Sequence, residues 1–203
     1  MATDCTINNI YDDLKFCKGK TVLPGLRPKV YYIPKEQIVK FPTLPDVDAE
    51  GATMASIGAY EGDFVFAADA VAKRIDILTP ASNVTSASQG EKPSKTFLNS
   101  STLKYAGNNA EAVGFCRLAN SDDFVYFVQQ RDGKWRVVGN ESFETNTNPS
   151  QDSGMAETDA SGTTLEISVT DVCPAPYYTG KLNTSDGVLD CATNTIEEAT
   201  AQG

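Results

Sequence analysis

The segment FVYFVQQRDGKWRVVGN, residues 124–140, constrains the fold more than any other stretch of the chain. Residues 124–128 are apolar or aromatic at every position, so we expect both faces of this strand to be at least partly covered. Residues 131–134 read Arg-Asp-Gly-Lys, and the Asp-Gly pair supplies the positive φ that hairpin turns favour. Trp135 and Val137 then alternate with Arg136 and Val138. The segment predicts a β-hairpin.

A second strand is equally clear at residues 162–171, GTTLEISVTD. Its odd positions, 163–169, are apolar or threonine, and its even positions are polar. This alternation is typical of a half-buried antiparallel strand with one polar face. Further strands are expected at 64–68, at 73–79 with Ile75 and Ile77 on one face, and at 97–105.

Proline shapes the region 22–45, where five prolines surround the runs VYYI and IVKF. Each proline removes a ladder donor, so these runs are predicted to be short or edge strands.

Two helices are expected. Residues 108–121, NNAEAVGFCRLANS, offer Asn108 or Asn109 as N-cap and an apolar stripe that includes Phe115. At the N-terminus, Ile7, Ile10, Tyr11, Leu14 and Cys17 recur at helical spacing and predict a short amphipathic helix within 1–21, which either packs on the core or docks as an arm on a neighbouring subunit.

Three segments are polar and long. Residues 79–96 and 141–162 are predicted to be loops, and residues 180–203 an extended, partly mobile C-terminal extension. No domain boundary or repeat is evident, so residues 1–203 are expected to form one mainly β domain. The expected fold is a β-sandwich or open barrel with one flanking helix, a long polar loop and terminal arms.

Composition excludes some classes of protein. A chain of 203 residues with 40% hydrophobic residues can bury a substantial core. No stretch approaches the roughly 20 apolar residues of a membrane span, and the first residues lack the pattern of a secretory signal, which predicts folding in a cytoplasm. The five cysteines are then expected to be free thiols, with a Cys173–Cys191 bridge as the alternative.

The net charge of −10 is concentrated at one end of the chain. Residues 1–139 hold sixteen acidic and sixteen basic side chains, whereas residues 140–203 hold eleven acidic ones and a single cation, Lys181. Residues 1–40 carry seven basic and four acidic groups. Tight nucleic-acid binding needs the opposite of such an acidic region.

No catalytic, cofactor-binding or metal-ligating residue is assigned. The chain has no histidine, which excludes Ser-His-Asp and Cys-His sites, and it has no phosphate-binding glycine motif. Carboxylate pairs and N-x-[ST] sequons occur but are interpreted as solvated surface and as coincidence. The pairs are Asp12–Asp13, Asp46–Asp48, Asp122–Asp123 and Glu197–Glu198, and the sequons begin at Asn83, Asn99, Asn140 and Asn183.

Residues 110–178 resemble the tail tube (major tail) proteins of long-tailed bacteriophages. The resemblance lies in a short helix ending in RLAN, the segment DDFVYFVQQRDGKWRVVGN with Gly139, an acidic Ser/Gly-rich stretch, and the strand GTTLEISVT leading into VCPAPYY. Asp159, Gly162, Thr164 and Leu165 follow the family's D-x-x-G-x-T-L pattern.

The resemblance implies a β-sandwich with a flanking helix that assembles into hexameric rings. The rings would stack, a 24-stranded inner barrel would line a channel for DNA, and loops and terminal arms would bridge subunits. It implies a virion location after assembly in the host cytoplasm. The partners would be other copies, the tape measure, terminator and baseplate proteins, and DNA that passes without specific binding.

The uneven distribution of charge along the chain is suited to such a polymer, because copies that meet through different patches need complementary surfaces. We expect much of the excess acidity to face the channel or a ring interface, where it repels phosphates. The residues concerned are Glu141, Glu144, Asp152, Glu157, Asp159 and Glu166.

Two alternatives remain. One is another virion component on a related fold: a tail terminator, a connector or a capsid decoration protein. The other is a carbohydrate-binding or adhesive β-sandwich, which needs exposed aromatic side chains on one face; the candidates are Tyr31, Tyr32, Tyr177 and Tyr178. An enzyme is not expected, since no proton-transfer constellation is visible.

Overall fold

The computed structural model describes residues 10–157 and 159–197. The chain is mainly β, as predicted, and the described residues contain one α-helix. The strands of the two large sheets are β1 (Leu26–Pro34), β4 (Lys73–Asp76), β5 (Asn83–Gln89), β6 (Thr96–Ala106), β7 (Phe124–Gln130), β8 (Trp135–Val138), β9 (Asn146–Asp152), β10 (Gly162–Asp171) and β11 (Tyr177–Tyr178). The smaller sheets contain β2 (Ile38–Lys40), β3 (Val65–Phe66), β12 (Lys181–Thr184), β13 (Gly187–Asp190) and β14 (Thr195–Glu197), and the helix is α1 (Ala110–Ala119).

A five-stranded sheet in the order β11-β8-β7-β1-β4 forms the middle layer. The predicted hairpin is confirmed as β7 and β8, in which Tyr126 pairs with Val138 and Gln129 with Trp135. Residues 124–129 are all buried, because the sheet is covered on both faces.

A four-stranded antiparallel sheet in the order β5-β6-β10-β9 packs on one face of the middle layer. Val30 and Val128 of the middle sheet meet Leu103, Leu165 and Ile167 of the four-stranded sheet. Each such aliphatic side chain contributes about 1.5–3 kcal/mol on burial. The alternation predicted for β10 is confirmed, since Thr163, Leu165, Ile167 and Val169 are all buried.

The second face of the middle sheet carries its own core. Tyr31 and Phe127 of that sheet pack with Phe64 from the connection after β2 and with Leu182 and Leu189 of a three-stranded sheet, β12-β13-β14. The predicted C-terminal extension is therefore wrong for residues 181–197, because Leu182 and Leu189 dock these strands on the core.

Helix α1 follows the sequence prediction. The Asn109 side chain accepts a hydrogen bond from the Ala112 amide at 3.1 Å and caps the first turn. Phe115 packs edge-on against Tyr32 with ring centroids 4.8 Å apart, so the helix closes one side of the sandwich.

The predicted N-terminal helix is wrong where the chain is described, since residues 10–17 are not helical. Tyr11 is 86% and Leu14 is 89% exposed. An isolated short helix does not repay its nucleation cost unless a partner buries its apolar stripe, and neither hydrophobic core of the described chain includes a residue of this segment. Ile7 lies outside the described residues.

Two predicted loops contain strands. β5 lies within 79–96 and β9 within 141–162, and each pairs with a long central strand, β6 or β10. The prediction that VYYI is a short or edge strand is also wrong, because β1 is nine residues long and pairs with β4 and β7 on both sides. Each loop or edge prediction rested on polar or proline-rich composition, whereas strand pairing depends on the partner that the fold supplies.

Gly139 explains how the hairpin leaves the middle sheet. Its φ is +127°, and a Cβ there would lie 3.0 Å from the Cα of Val125. Only glycine accepts both the backbone conformation and the close approach without strain.

The four cysteines within the described residues are free, which includes Cys173 and Cys191. None of the described helices has the length and apolar character of a membrane span.

Candidate assembly interface

The two edges of the four-stranded sheet are open. β5 and β9 each have seven residues and each pairs on one side only. Outside these ladders, no backbone–backbone hydrogen bond of the described chain involves residues 83–89 or 146–152. Proteins usually guard an edge with lysine, proline or a bulge. β9 has Pro149, but β5, NVTSASQ, has neither charge nor proline.

The edges run in opposite directions. Each neighbouring pair in β5-β6-β10-β9 is antiparallel, so an even number of strands leaves β5 and β9 antiparallel to one another. A second copy in the same orientation therefore presents its β9 antiparallel to β5 of the first. The alternation of strands continues across the junction without a break.

The outer face of this sheet is polar and nearly uncharged. Its cross-strand rows follow from the ladder registers: Asn83, Thr102, Glu166 and Asn148 form one row, and Thr85, Ser100, Ser168 and Asn146 the next. These side chains are exposed or half-buried. Glu166 and Lys104 are the charged residues of the face within the strands, apart from Asp152 at its end.

The six acidic residues that were expected to face the channel or a ring interface lie in different parts of the structure. Glu166 lies on the outer face of the sheet. Glu141 and Glu144 lie in the connection from β8 to β9, and Asp152, Glu157 and Asp159 lie at the end of β9 and in the loop after it. All six are exposed. The acidity is therefore concentrated at strand ends more than on the sheet face.

Other acidic residues of the C-terminal region hold the fold together. Asp171 is 4% exposed and accepts hydrogen bonds from the Val172 amide and from Asn99; burial raises its pKa. The Asp190 carboxylate accepts hydrogen bonds from the backbone amides of Thr193 and Ala192, which lowers its pKa. The buried Asp171 carboxylate is therefore not available to a partner.

The N-terminal segment, residues 10–25, exposes several large apolar side chains. Tyr11, Leu14, Phe16 and Val22 are between 77% and 89% exposed. Neither hydrophobic core includes any residue of this segment. The arm interpretation of the sequence therefore remains a prediction for this part of the chain.

A cavity of about 270 Å³ lies between α1 and β4, lined in part by Tyr32, Ile75 and Phe115. Its cation, Arg74, is already bound to Asp76 and Asp186. No group of three histidine, cysteine, aspartate or glutamate side chains that could hold a metal occurs in the part of the chain that is described.

The Cys173 and Cys191 thiols are poor nucleophiles at neutral pH. Burial raises the pKa of Cys173 to about 11 and that of Cys191 to about 12. Both thiols therefore stay protonated, and the thiolate is the reactive form.

The four tyrosines that were candidates for an exposed aromatic face are buried or half-buried. Tyr31 and Tyr178 are buried, and Tyr32 and Tyr177 are half-buried, so these tyrosines do not form an exposed aromatic face.

Two of the four sequons are internal: Asn99 and Asn140 are buried and donate hydrogen bonds to the Cys173 and Thr170 carbonyls. In the carboxylate pair at 122–123, Asp123 binds Lys35. Glu198 lies outside the described residues.

The open edges were missed by sequence reasoning because β5 and β9 lack an apolar alternation. The available signal was the length of these segments, since seven mostly polar residues form each strand beside β6 or β10. Compared with known proteins, the chain matches no family model, no curated protein and no solved structure.

Proposed function

We propose that this protein is a structural subunit that polymerises into rings and tubes, as the tail tube proteins of long-tailed bacteriophages do. The observation that carries the proposal is the four-stranded sheet with two open, antiparallel edges of equal length and a polar outer face. Pairing of β5 with β9 of the next copy is a heterologous contact, which closes into a ring when the rotation permits.

Strand number agrees with the family resemblance. Six copies that each contribute four strands make a barrel of 24, the number that the resemblance implies. At a strand spacing of about 4.8 Å, the untilted barrel has a circumference of about 115 Å and a backbone diameter of about 37 Å. Barrels of 16–18 strands already enclose an aqueous channel, so this one has room for a DNA duplex.

The polar face suits a channel through which DNA must slide. The apolar face of the sheet packs on the middle layer, so the polar face would line the ring. Retention of DNA requires several Lys or Arg side chains that neutralise phosphates, and the face offers one cation, Lys104, against Glu166. Acidic repulsion would then act mainly where the strands end, and the wall itself would be neutral.

The test pairs two proline substitutions in the unguarded edge, Ala87→Pro and Ser88→Pro. Successive backbone amides of a strand point to opposite sides, so one variant removes a donor to β6 and the other removes a donor on the open edge. Negative-stain microscopy of the wild type is expected to show six-fold rings or tubes. The open-edge variant is expected to keep its circular dichroism spectrum and melting temperature but to stay monomeric.

The variant whose proline removes the donor to β6 is the control, since the loss of that ladder hydrogen bond is expected to lower stability. A wild type that is monomeric at high concentration would refute the proposal. Rings that do not stack into tubes would favour a tail terminator or connector. We further propose a virion location and the other tail proteins as partners, on the resemblance alone.

A further inference from the structure

The ends of the strands carry free charges that are segregated by end and by layer. In the four-stranded sheet, the β5–β6 turn (residues 90–95) lies at one end, which we call the turn end. The β9–β10 loop (residues 153–161) lies at the other, the loop end. The strands of the middle sheet end at the same two ends of the molecule. Leu78 donates to the Lys104 carbonyl near the loop end, and Asn140 donates to the Thr170 carbonyl near the turn end.

At the turn end, the four-stranded layer is basic and the middle layer is acidic. The β5–β6 turn holds Lys92 and Lys95 against Glu91. Around the middle sheet, four exposed anions outnumber the three exposed cations, Arg117, Lys40 and Lys73. The anions are Glu36, Asp122, Glu141 and Glu144.

At the loop end, both signs are reversed. The four-stranded layer ends in Asp152 and the two anions of the following loop, Glu157 and Asp159. The middle layer and the start of α1 hold three exposed cations, Arg27, Arg131 and Lys134, against two exposed anions outside the ion pairs of the described chain, Asp132 and Glu111. None of the residues named at either end belongs to an ion pair within the described chain.

We infer that copies stack head to tail, with the turn end of one ring on the loop end of the next. Each layer then meets its opposite charge: Lys92 and Lys95 face the acidic loop, and Glu141 and Glu144 face the arginines. This inference rests on the proposed function, because lateral pairing of edges turns the strand ends toward the neighbouring rings. The partner is a second copy of this chain.

The geometry gives a repeat distance. β6, with 11 residues, is the longest strand of the sheet, and at about 3.3 Å per residue it spans about 36 Å. With strands parallel to the tube axis, rings that stack through the strand ends should therefore repeat at about 36 Å, and strand tilt would shorten this distance.

The first test reverses the turn-end cations with Lys92→Glu and Lys95→Glu. We expect rings to persist and mean tube length in micrographs to fall at least tenfold. A second pair, Asp152→Lys and Glu157→Lys, reverses the loop end and should shorten tubes in the same way. In the variant with all four changes, the turn end is acidic and the loop end is basic, so the two ends again carry opposite charges. This variant should regain tube length.

The matched control is Lys18→Glu with Lys20→Glu, which changes net charge equally. Both lysines are exposed and lie in the N-terminal segment, outside the sheets and their strand ends. Melting temperatures establish that each variant folds. High salt supplies an independent readout, since at 1 M the Debye length is about 3 Å and wild-type tubes should separate into rings.

The two proposals fail in different ways. If the reversed variants form tubes of wild-type length, or if the fourfold variant does not regain length while its rings are intact, the stacking inference is wrong and the ring proposal stands. If the wild type forms no rings, the proposed function itself fails.

Discussion

Substitution of Asp186 should detach the C-terminal sheet from the middle sheet. Asp186 lies in the turn between β12 and β13, and its carboxylate accepts hydrogen bonds from the Tyr31 hydroxyl at 3.0 Å and from Arg74 at 3.2 Å. Lys29 lies 3.7 Å away. In Asp186→Ala, Arg74 keeps its two bonds to Asp76, whereas the Tyr31 hydroxyl loses this acceptor within a residue that is 1% exposed.

The magnitude follows from these contacts. A buried donor left without its partner costs about 1–3 kcal/mol, and the part-exposed ion pairs add about 0–1 kcal/mol. We expect Asp186→Ala to lower the free energy of unfolding by about 2–3 kcal/mol. Tyr31→Phe should lower the free energy of unfolding by about 1 kcal/mol. Because the two residues share one hydrogen bond, the double variant should lose about 1 kcal/mol less than the sum of the two single variants.

Chemical denaturation followed by the fluorescence of Trp135 is the assay. The single tryptophan lies next to Tyr31, with ring centroids 5.8 Å apart. Glu91→Ala is the control, an exposed carboxylate without an ion pair, and should change stability by less than about 0.5 kcal/mol. Additive costs for the Tyr31 and Asp186 variants would refute the reasoning.

The effect should also depend on pH. Burial alone would raise the pKa of Asp186, but hydrogen bonds from Tyr31 and Arg74 and the charges of Arg74 and Lys29 outweigh it, and the pKa lies below its ordinary value. A lowered folded pKa gives stability that is present above the unfolded value of 3.8 and is lost as pH falls through the folded pKa. The stability difference between wild type and Asp186→Ala should therefore shrink in acid below that value.

Three further outcomes are expected. Gly139→Ala should cost about 2–3 kcal/mol in thermal unfolding because of its positive φ and crowding, whereas Gly114→Ala, in open space on α1, should stabilise by about 0.5–1 kcal/mol; equal effects would contradict this. Tyr126→Phe should cost about 1–2 kcal/mol in urea unfolding, because the buried Thr147 hydroxyl loses its partner at 2.9 Å. Cys191, 3% exposed with a pKa raised to about 12, should react with a thiol reagent only after unfolding, as peptide mapping would show; labelling of the native protein would contradict its burial.

The sequence by itself determined the strands and the helix that carry their own periodicity. β7 followed from its continuous apolar run, β8 from the Asp-Gly turn before it, and β10 from apolar alternation. α1 followed from its Asn109 cap and apolar stripe. Each of these signals is local, because it depends only on which side chains lie on one face of one element.

Tertiary structure decided the elements that are stable only through a partner. β5 and β9 are polar and become strands because β6 and β10 offer them a ladder. Residues 181–197 form a sheet because Leu182 and Leu189 reach the second face of the middle layer. Conversely, the apolar spacing of residues 10–17 did not make a helix, since nothing in the described chain covers it.

The candidate interface belongs to this second class. The sequence established that the C-terminal third of the chain is acidic, but not which edges stay open or which charges share an end of the sheet. Those properties arise from strand order and register, which pair residues of β6 and β10 that are 56 to 74 positions apart in the sequence. A strand edge is open only because the fold leaves it without a neighbour, and no local pattern of residues encodes that.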